Sequence, residues 1–174
     1  SDATIVAPLY GKPYGVVTAQ ALNPILNRID PHVGSVWAVV CAAAKYTAVG
    51  GDIKRAAMID NFVWPKPTPK FLGDLDQSVD ALCKMMDLLE IPCVSGKDCL
   101  SSTYSSPNGK EINIPPVLNV TIFGRIPDVE KTVSADIKST DSVLVLVGKP
   151  DPNNLGGSIY FQTQGIENTH LPNM

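Results

Sequence analysis

AVGGDIKRAAMIDNFVWP, residues 48–65, is the stretch on which the reading of the whole chain turns. Its opening residues close a helix, and Gly50-Gly51 supplies the left-handed stop that follows one. Ala56-Ala57-Met58-Ile59 is a short apolar run without helical spacing, which reads as a buried strand closed by Asp60-Asn61. Trp64-Pro65 then opens a segment with alternating prolines at 65, 67 and 69. Pro-x-Pro-x-Pro forbids both a regular helix and a central strand, so a stiff extended loop is expected. Helix, stop, buried strand and polar strand end, in that order, describe a sheet with helices packed on it.

Toward the amino terminus, Asp30-Pro31 gives an N-cap followed by proline at the first helical position. Val36, Trp37, Val39, Val40, Ala43, Ala44, Thr47 and Ala48 then keep helical spacing. Apolar residues occupy most of the circumference, so this helix is expected to be deeply buried. Asn23 to Arg28 reads as a loop. Thr4 to Pro8 and Gly15 to Ala21 are β-type runs around a turn-rich Tyr10-Gly11-Lys12-Pro13-Tyr14, which suggests a hairpin.

Toward the carboxy terminus, a second helix is expected over about 72–89. Leu75, Val79, Leu82, Met85, Met86 and Leu89 trace its apolar face. Ile91 to Val94 reads as a strand ending in Ser95-Gly96-Lys97-Asp98. A polar loop, Ser105 to Lys110, separates two weak strands. Val117 to Arg125 and Ser142 to Gly148 are the clearest late strands, and Pro150 to Asn154 reads as a linker. The order β, β, α, β, α, β and further β implies an α+β domain with helices on one face of a mixed sheet. A sheet covered on one side only needs a partner for the other.

Composition narrows the function classes. The chain has 174 residues, 44% hydrophobic and 18% charged, too apolar and too weakly charged for disorder. No apolar stretch reaches the ~18 residues of a membrane span, and no signal peptide is visible in Ser1 to Pro8. The 14 Lys and Arg are outnumbered by 17 Asp and Glu, against the basic excess of a nucleic-acid domain. Cys41, Cys83, Cys93 and Cys99 contain no CxxC pair and read as reduced thiols of a cytosolic protein. Two histidines, His32 and His170, do not make a His-rich metal site.

Asp60 and Asn61 close one expected strand, and Ser95, Lys97 and Asp98 close another. Ligands of open α/β sheets gather at the carboxyl ends of strands. An acid, an amide and an ammonium there suit a phosphate and its Mg²⁺; turn capping accounts for the same residues without any ligand. SGKD lacks the GxxxxGK[ST] spacing, so no Walker loop is present. Cys99 stands beside Lys97, which would lower a thiol pKa, but packing explains a lone cysteine equally well. His32 lies just inside a helix start, where a positive charge opposes the helix dipole. No nucleophile or general base stands out.

Residues 48–65 resemble the phosphoribosylformylglycinamidine (FGAM) synthase family within the AIR synthetase superfamily. SDATIV at 1–6, ALNPILNRIDPH at 21–32, VSGKDCLSSTY at 94–104 and IPPVLNVTIFGRIPDV at 114–129 carry the same resemblance. LGGSIYF at 155–161 resembles the start of the family's following domain. The resemblance implies an AIR synthetase-like amino-terminal domain over 1–148, whose sheet pairs with a second copy to form a central barrel. Residues 149–174 become a linker and the first strand of a carboxy-terminal domain. The implied reaction uses ATP and Mg²⁺ to activate the amide oxygen of formylglycinamide ribonucleotide, and ammonia from a glutaminase displaces phosphate.

The resemblance is uneven. Where the family's active half carries SHNHP with a catalytic histidine, this chain reads Ala21-Leu22-Asn23-Pro24, and the GATGVGG loop is missing. This matches the second, pseudo-symmetric half, which in some members holds a structural nucleotide. The implied role is structural or auxiliary nucleotide binding, with Asp60, Asn61, Ser95, Lys97 and Asp98 toward nucleotide or phosphate and no catalytic residue. The implied partners are the first half or a second copy, a glutaminase and a purine-pathway ribonucleotide, in the cytoplasm. The alternatives are a competent ATP-dependent cyclo-ligase or kinase of the superfamily, or a ligand-free interaction module. Among the family's metal ligands, the opening aspartate matches Asp2. The helical Glu-x-x-x-Asn pair falls on Cys41 and Lys45, so the resemblance implies a lost ligand set in which a lysine pairs with Asp2 or Asp60.

Overall fold

The computed structural model describes residues 2–152 and 154–166. Strands Thr4–Val6 (β1) and Gly15–Ala21 (β2) form the expected antiparallel hairpin, with Thr4 opposite Thr18. Helix α1 spans Pro24–Ile29 where the sequence reads as a loop. The Asn23 side chain accepts from the Leu26 amide at 3.0 Å, and Pro24 takes the first helical position, a capping signal overlooked in so short a segment. Asp30 ends α1 and caps α2, Pro31–Ala48, its Oδ1 accepting from Val33 N at 2.9 Å. Gly50, at φ +103°, makes the expected left-handed exit.

Strand β3 runs Ala56–Val63, four residues beyond the apolar run that announces it. The proline loop follows, and α3 spans Pro69–Leu89 with Thr68 as its N-cap. Trp64 is buried, and its indole N–H donates to the Phe71 carbonyl at 2.8 Å, tying that loop to the first turn of α3. Strand β4 covers Cys93–Cys99, a ribbon pairs β5 (Thr103–Ser105) with β6 (Glu111–Asn113), and β7 runs Val117–Ile126. The main sheet has the order β1-β2-β7-β3-β4, antiparallel except for the β3–β4 pair, and is therefore the expected mixed sheet.

Helix α2 packs on β2 and β7, and α1 and α3 pack on α2. Val17, Ala19, Met58, Leu118, Val120 and Ile122 face Ala38, Val39, Ala42 and Tyr46 in one core, extended by Leu82 and Met85 of α3. Each large side chain so buried stabilises the fold by about 2 kcal/mol. Helix α2 is less enclosed than its composition suggests. Val40, Ala44, Thr47 and Ala48 are exposed, because the sheet and α3 cover only part of its circumference.

Two late expectations are corrected. Ser142–Gly148 forms no strand, and Val143 to Val147 are 76–91% exposed. An alternating or apolar run predicts a strand only if another strand offers its hydrogen-bonding edge, and none of the described strands lies beside this run. In place of a first strand in LGGSIYF, a short helix α4 spans Ile159–Thr163, capped by Ser158. The last tie to the sheet domain before these segments is Val133 N donating to Val49 O at 3.3 Å. His170, with residues 167–174 of the expected linker and domain start, lies outside the described residues.

Candidate functional site

The residues expected at two strand ends lie inside the strands. Asp60 and Asn61 are central in β3, and Ser95, Lys97 and Asp98 are interior to β4. Ladder pairing brings them together: Ile59 stands opposite Ser95, Asp60 opposite Gly96, Asn61 opposite Lys97 and Phe62 opposite Asp98. Neighbouring residues on a strand point to opposite faces, so the five do not form one cluster.

Met58 and Phe62 are buried under the helices, which puts Asp60 on the same helix-covered face. There the Cys93 thiol donates to Asp60 Oδ2 at 3.3 Å. Burial, and then the Asp60 carboxylate, push the Cys93 thiol above its ordinary range. Gly96 leaves room for that carboxylate: a Cβ there would come within 2.5–2.8 Å of both its oxygens. Asp98 shares this face at the exposed edge strand.

Asn61, Ser95 and Lys97 lie on the opposite face, which no helix among the described residues covers. A bulge decides this. The β3–β4 register shifts between Met58 and Ile59, so that Cys93 and Ser95 oppose consecutive β3 residues and Val94 is the extra one. Strict alternation from Cys93 would have turned Lys97 toward the helices. Asn119 of β7 pairs with Asn61 from the other side. This makes a row Asn119–Asn61–Lys97 across three strands. Asn119 belongs to the site and was not singled out from sequence; its only signal there is an amide in an otherwise apolar β-run. The Oδ1 atoms of Asn61 and Asn119 are buried yet have no hydrogen-bond partner among the described residues. Val16, Gln20 and Ile59, on the same face, are exposed.

Cys99 carries a thiol held below its ordinary pKa, chiefly by hydrogen bonding with Ser102 and only secondarily by the Lys97 charge. His32 sits in the first turn of α2, half-buried. A groove of about 750 Å³ lies elsewhere, between α1, Trp37 and α4, and contains none of the expected site residues.

The expected metal positions on α2 lie at another corner, where the helix meets the end of β2. Continuing the β1–β2 register two residues past Thr4 sets Asp2 across from Gln20. Lys45, half-buried in the last turn of α2, donates to the Gln20 carbonyl at 3.1 Å. Cys41 lies one turn earlier on the same helix face. Lys45 forms no ion pair with Asp2 or Asp60 among the described residues, which corrects the expected pairing: its contact is a backbone carbonyl.

No protein-family model matches the chain. Curated relatives do. Phosphoribosylformylglycinamidine synthase subunit PurL of Deinococcus radiodurans is 28% identical over 99% of this chain and 23% of its own length. Human phosphoribosylformylglycinamidine synthase is 24% identical over 100% of this chain and 13% of its own length. The chain is homologous to one segment of phosphoribosylformylglycinamidine synthase. It spans less than a quarter of the length of these FGAM synthase relatives. Among solved structures, PurLQS from Thermotoga maritima superimposes with TM-score 0.65 at 22% identity, covering 78% of this chain and 21% of that one. T. maritima PurL complexed with ADP gives 0.61 at 22% identity, over 76% and 21%. Thiamine monophosphate kinase from Aquifex aeolicus gives 0.52 at 11% identity, over 73% and 38%. These likenesses establish the AIR synthetase-like fold.

Proposed function

We propose that the chain is the amino-terminal domain of the second, pseudo-symmetric half of an FGAM synthase, and that it builds and supports the enzyme without catalysing the reaction alone. The observation that carries this reading is similarity to FGAM synthases along practically the whole chain, joined to an AIR synthetase-like sheet with one uncovered face. The activity would be ATP- and glutamine-dependent amidation of formylglycinamide ribonucleotide in the cytoplasm, with a glutaminase supplying ammonia. No helix among the described residues is long and apolar enough to cross a membrane.

The uncovered face would pair with the sheet of the first half, or of a second copy, into a central barrel. Two features support this. Val16 and Ile59 are exposed apolar residues on a sheet face, and Asn61 and Asn119 carry buried amide oxygens without partners. A buried acceptor left unpaired costs about 1–3 kcal/mol, which a facing sheet with donors would recover. Lys97, next in the row, would meet an anionic group on the partner or a nucleotide phosphate. Asp60 and Asp98, on the other face, would not reach the same phosphate, so the auxiliary nucleotide site reduces to Asn61, Ser95 and Lys97 with Asn119.

The domain boundary moves in this reading. The packed unit ends near Val133, and Ser134 onward, including the exposed 143–147 run, belongs with the domain that follows in FGAM synthases.

The test is turnover. The longer polypeptide containing this segment, mixed with ATP, Mg²⁺, an ammonium salt as the ammonia source and formylglycinamide ribonucleotide, is expected to release ADP, phosphate and FGAM, whereas the 174-residue chain alone is expected to release none of them. Turnover by the chain alone, with that substrate or an aminoimidazole precursor, would reverse the proposal in favour of a competent superfamily enzyme. Calorimetry with ADP separates an auxiliary nucleotide site from a ligand-free scaffold.

A further inference from the structure

The corner where α2, carrying Cys41 and Lys45, meets Gln20 of β2 does not suit the cation that the FGAM synthase resemblance implies for it. Mg²⁺ takes hard, anionic or carbonyl oxygens. Here one helical position holds a thiol, a soft ligand, and the next holds an ammonium. Among the described residues, no three His, Cys, Asp or Glu side chains stand close enough to share a metal ion. The Gln20 carbonyl, an oxygen a cation would want, already accepts from Lys45 Nζ at 3.1 Å. The Lys45 ammonium, seated on that carbonyl, repels a dication from it.

We propose that the Lys45 ammonium has taken the place of the divalent cation in this chain, and that the corner is held together independently of metal. Lys45 spends one donor on Gln20 and keeps two more for whatever anionic group comes near Asp2. Its position favours this substitution. The last turn of a helix carries partial negative charge on its free carbonyls, which stabilises an ammonium there. The β1–β2 ladder begins at Thr4 opposite Thr18, so Gln20 lies beyond it on that side, and Lys45 supplies a donor to its carbonyl. The proposal rests on the FGAM synthase reading for the correspondence of positions, but its test is local and uses no activity.

The experiment follows Mn²⁺, the spectroscopic stand-in for Mg²⁺, by loss of the free-ion electron paramagnetic resonance signal on the 174-residue chain. The wild type is expected to show no saturable uptake that Asp2→Asn removes. The double variant Cys41→Glu/Lys45→Asn restores two oxygen ligands and removes the competing charge, and it is expected to bind Mn²⁺ at least about tenfold more tightly than wild type. Mg²⁺ should displace that Mn²⁺, and Asp2→Asn in the same background should abolish the gain. Saturable wild-type binding that depends on Asp2 overturns the proposal. So does a folded double variant, checked by circular dichroism, that gains nothing. Should the double variant fail to fold, Lys45→Asn alone serves, read as a rise in melting temperature with added MgCl₂ that wild type lacks; no rise overturns the proposal. Either failure leaves the FGAM synthase reading standing, since that reading is decided by turnover of the longer polypeptide.

Discussion

Tyr46 stands fully buried between two glycines, and the packing there sets sharp limits on substitution. A Cβ at Gly51 would lie 2.5–2.6 Å from the Tyr46 ring, and one at Gly124 would overlap its hydroxyl and sit 3.1 Å from the Arg55 carbonyl. Gly124→Ala is therefore expected to destabilise by about 1–3 kcal/mol, with partial rescue by Tyr46→Phe, as read in urea melts. The hydroxyl itself is buried without a hydrogen-bond partner among the described residues. Tyr46→Phe alone is expected to be neutral or to stabilise by about 1 kcal/mol. Burial, reinforced by the Asp52 charge, holds the phenol above its ordinary value of 10.0. The unfolded chain thus releases this proton first. The stability linked to Tyr46 is complete below pH 10.0 and is lost as pH rises through the folded value. Chemical denaturation between pH 9 and 11 should show an alkaline decline that is shallower in Tyr46→Phe; an unchanged slope would refute the assignment. Cys93, raised from its ordinary 9.0, adds to the decline with the same sign.

At the scale of elements, caps explain most of what is regular. Asn23, Asp30, Thr68 and Ser158 each accept a backbone N–H at a helix start. The exit of α3 is the exception, because Glu90 adopts φ +55° where glycine is the usual residue. It is exposed, so nothing but backbone conformation opposes a change. Glu90→Gly is expected to raise stability by about 0.5–1 kcal/mol, visible as a higher thermal midpoint. Capping was also where sequence reasoning was least complete. Asn23-Pro24 and Thr68-Pro69 are the same signal as Asp30-Pro31. The first is obscured because only six helical residues follow it, and the second because the apolar face of α3 begins several residues later. The 142–148 run shows the opposite error: a strong β pattern with no edge to join.

For the whole molecule, the decisive feature is the sheet face that no helix among the described residues covers. The helices supply one apolar layer, and the other side of β2, β3 and β7 holds exposed Val16 and Ile59 beside unsatisfied Asn61 and Asn119. Self-association of the chain through this face is expected at high concentration. In sedimentation velocity, Ile59→Lys should shift the distribution to monomer without lowering the melting temperature, since Ile59 is 36% exposed in the single chain. A wild-type chain that stays monomeric throughout, or an Ile59→Lys variant that still associates, would count against the face as the interface.

What residue order alone determined is the local grammar: the β1–β2 hairpin, the Asp30-Pro31 start and Gly50-Gly51 end of α2, the rigid proline loop and the apolar face of α3. These follow from interactions within a few residues, so they are legible in one chain read in order. The grouping of Asp60, Asn61, Ser95, Lys97 and Asp98 was legible too, but as a neighbourhood and not as a site. Their division between two faces was decided by tertiary structure. Strand β4 carries one extra residue at Val94 because it must stay paired with β3, and a one-residue slip turns every later side chain over. The same holds for Lys45: the family resemblance put it at a ligand position, and only the meeting of α2 with β2 showed its ammonium on the Gln20 carbonyl.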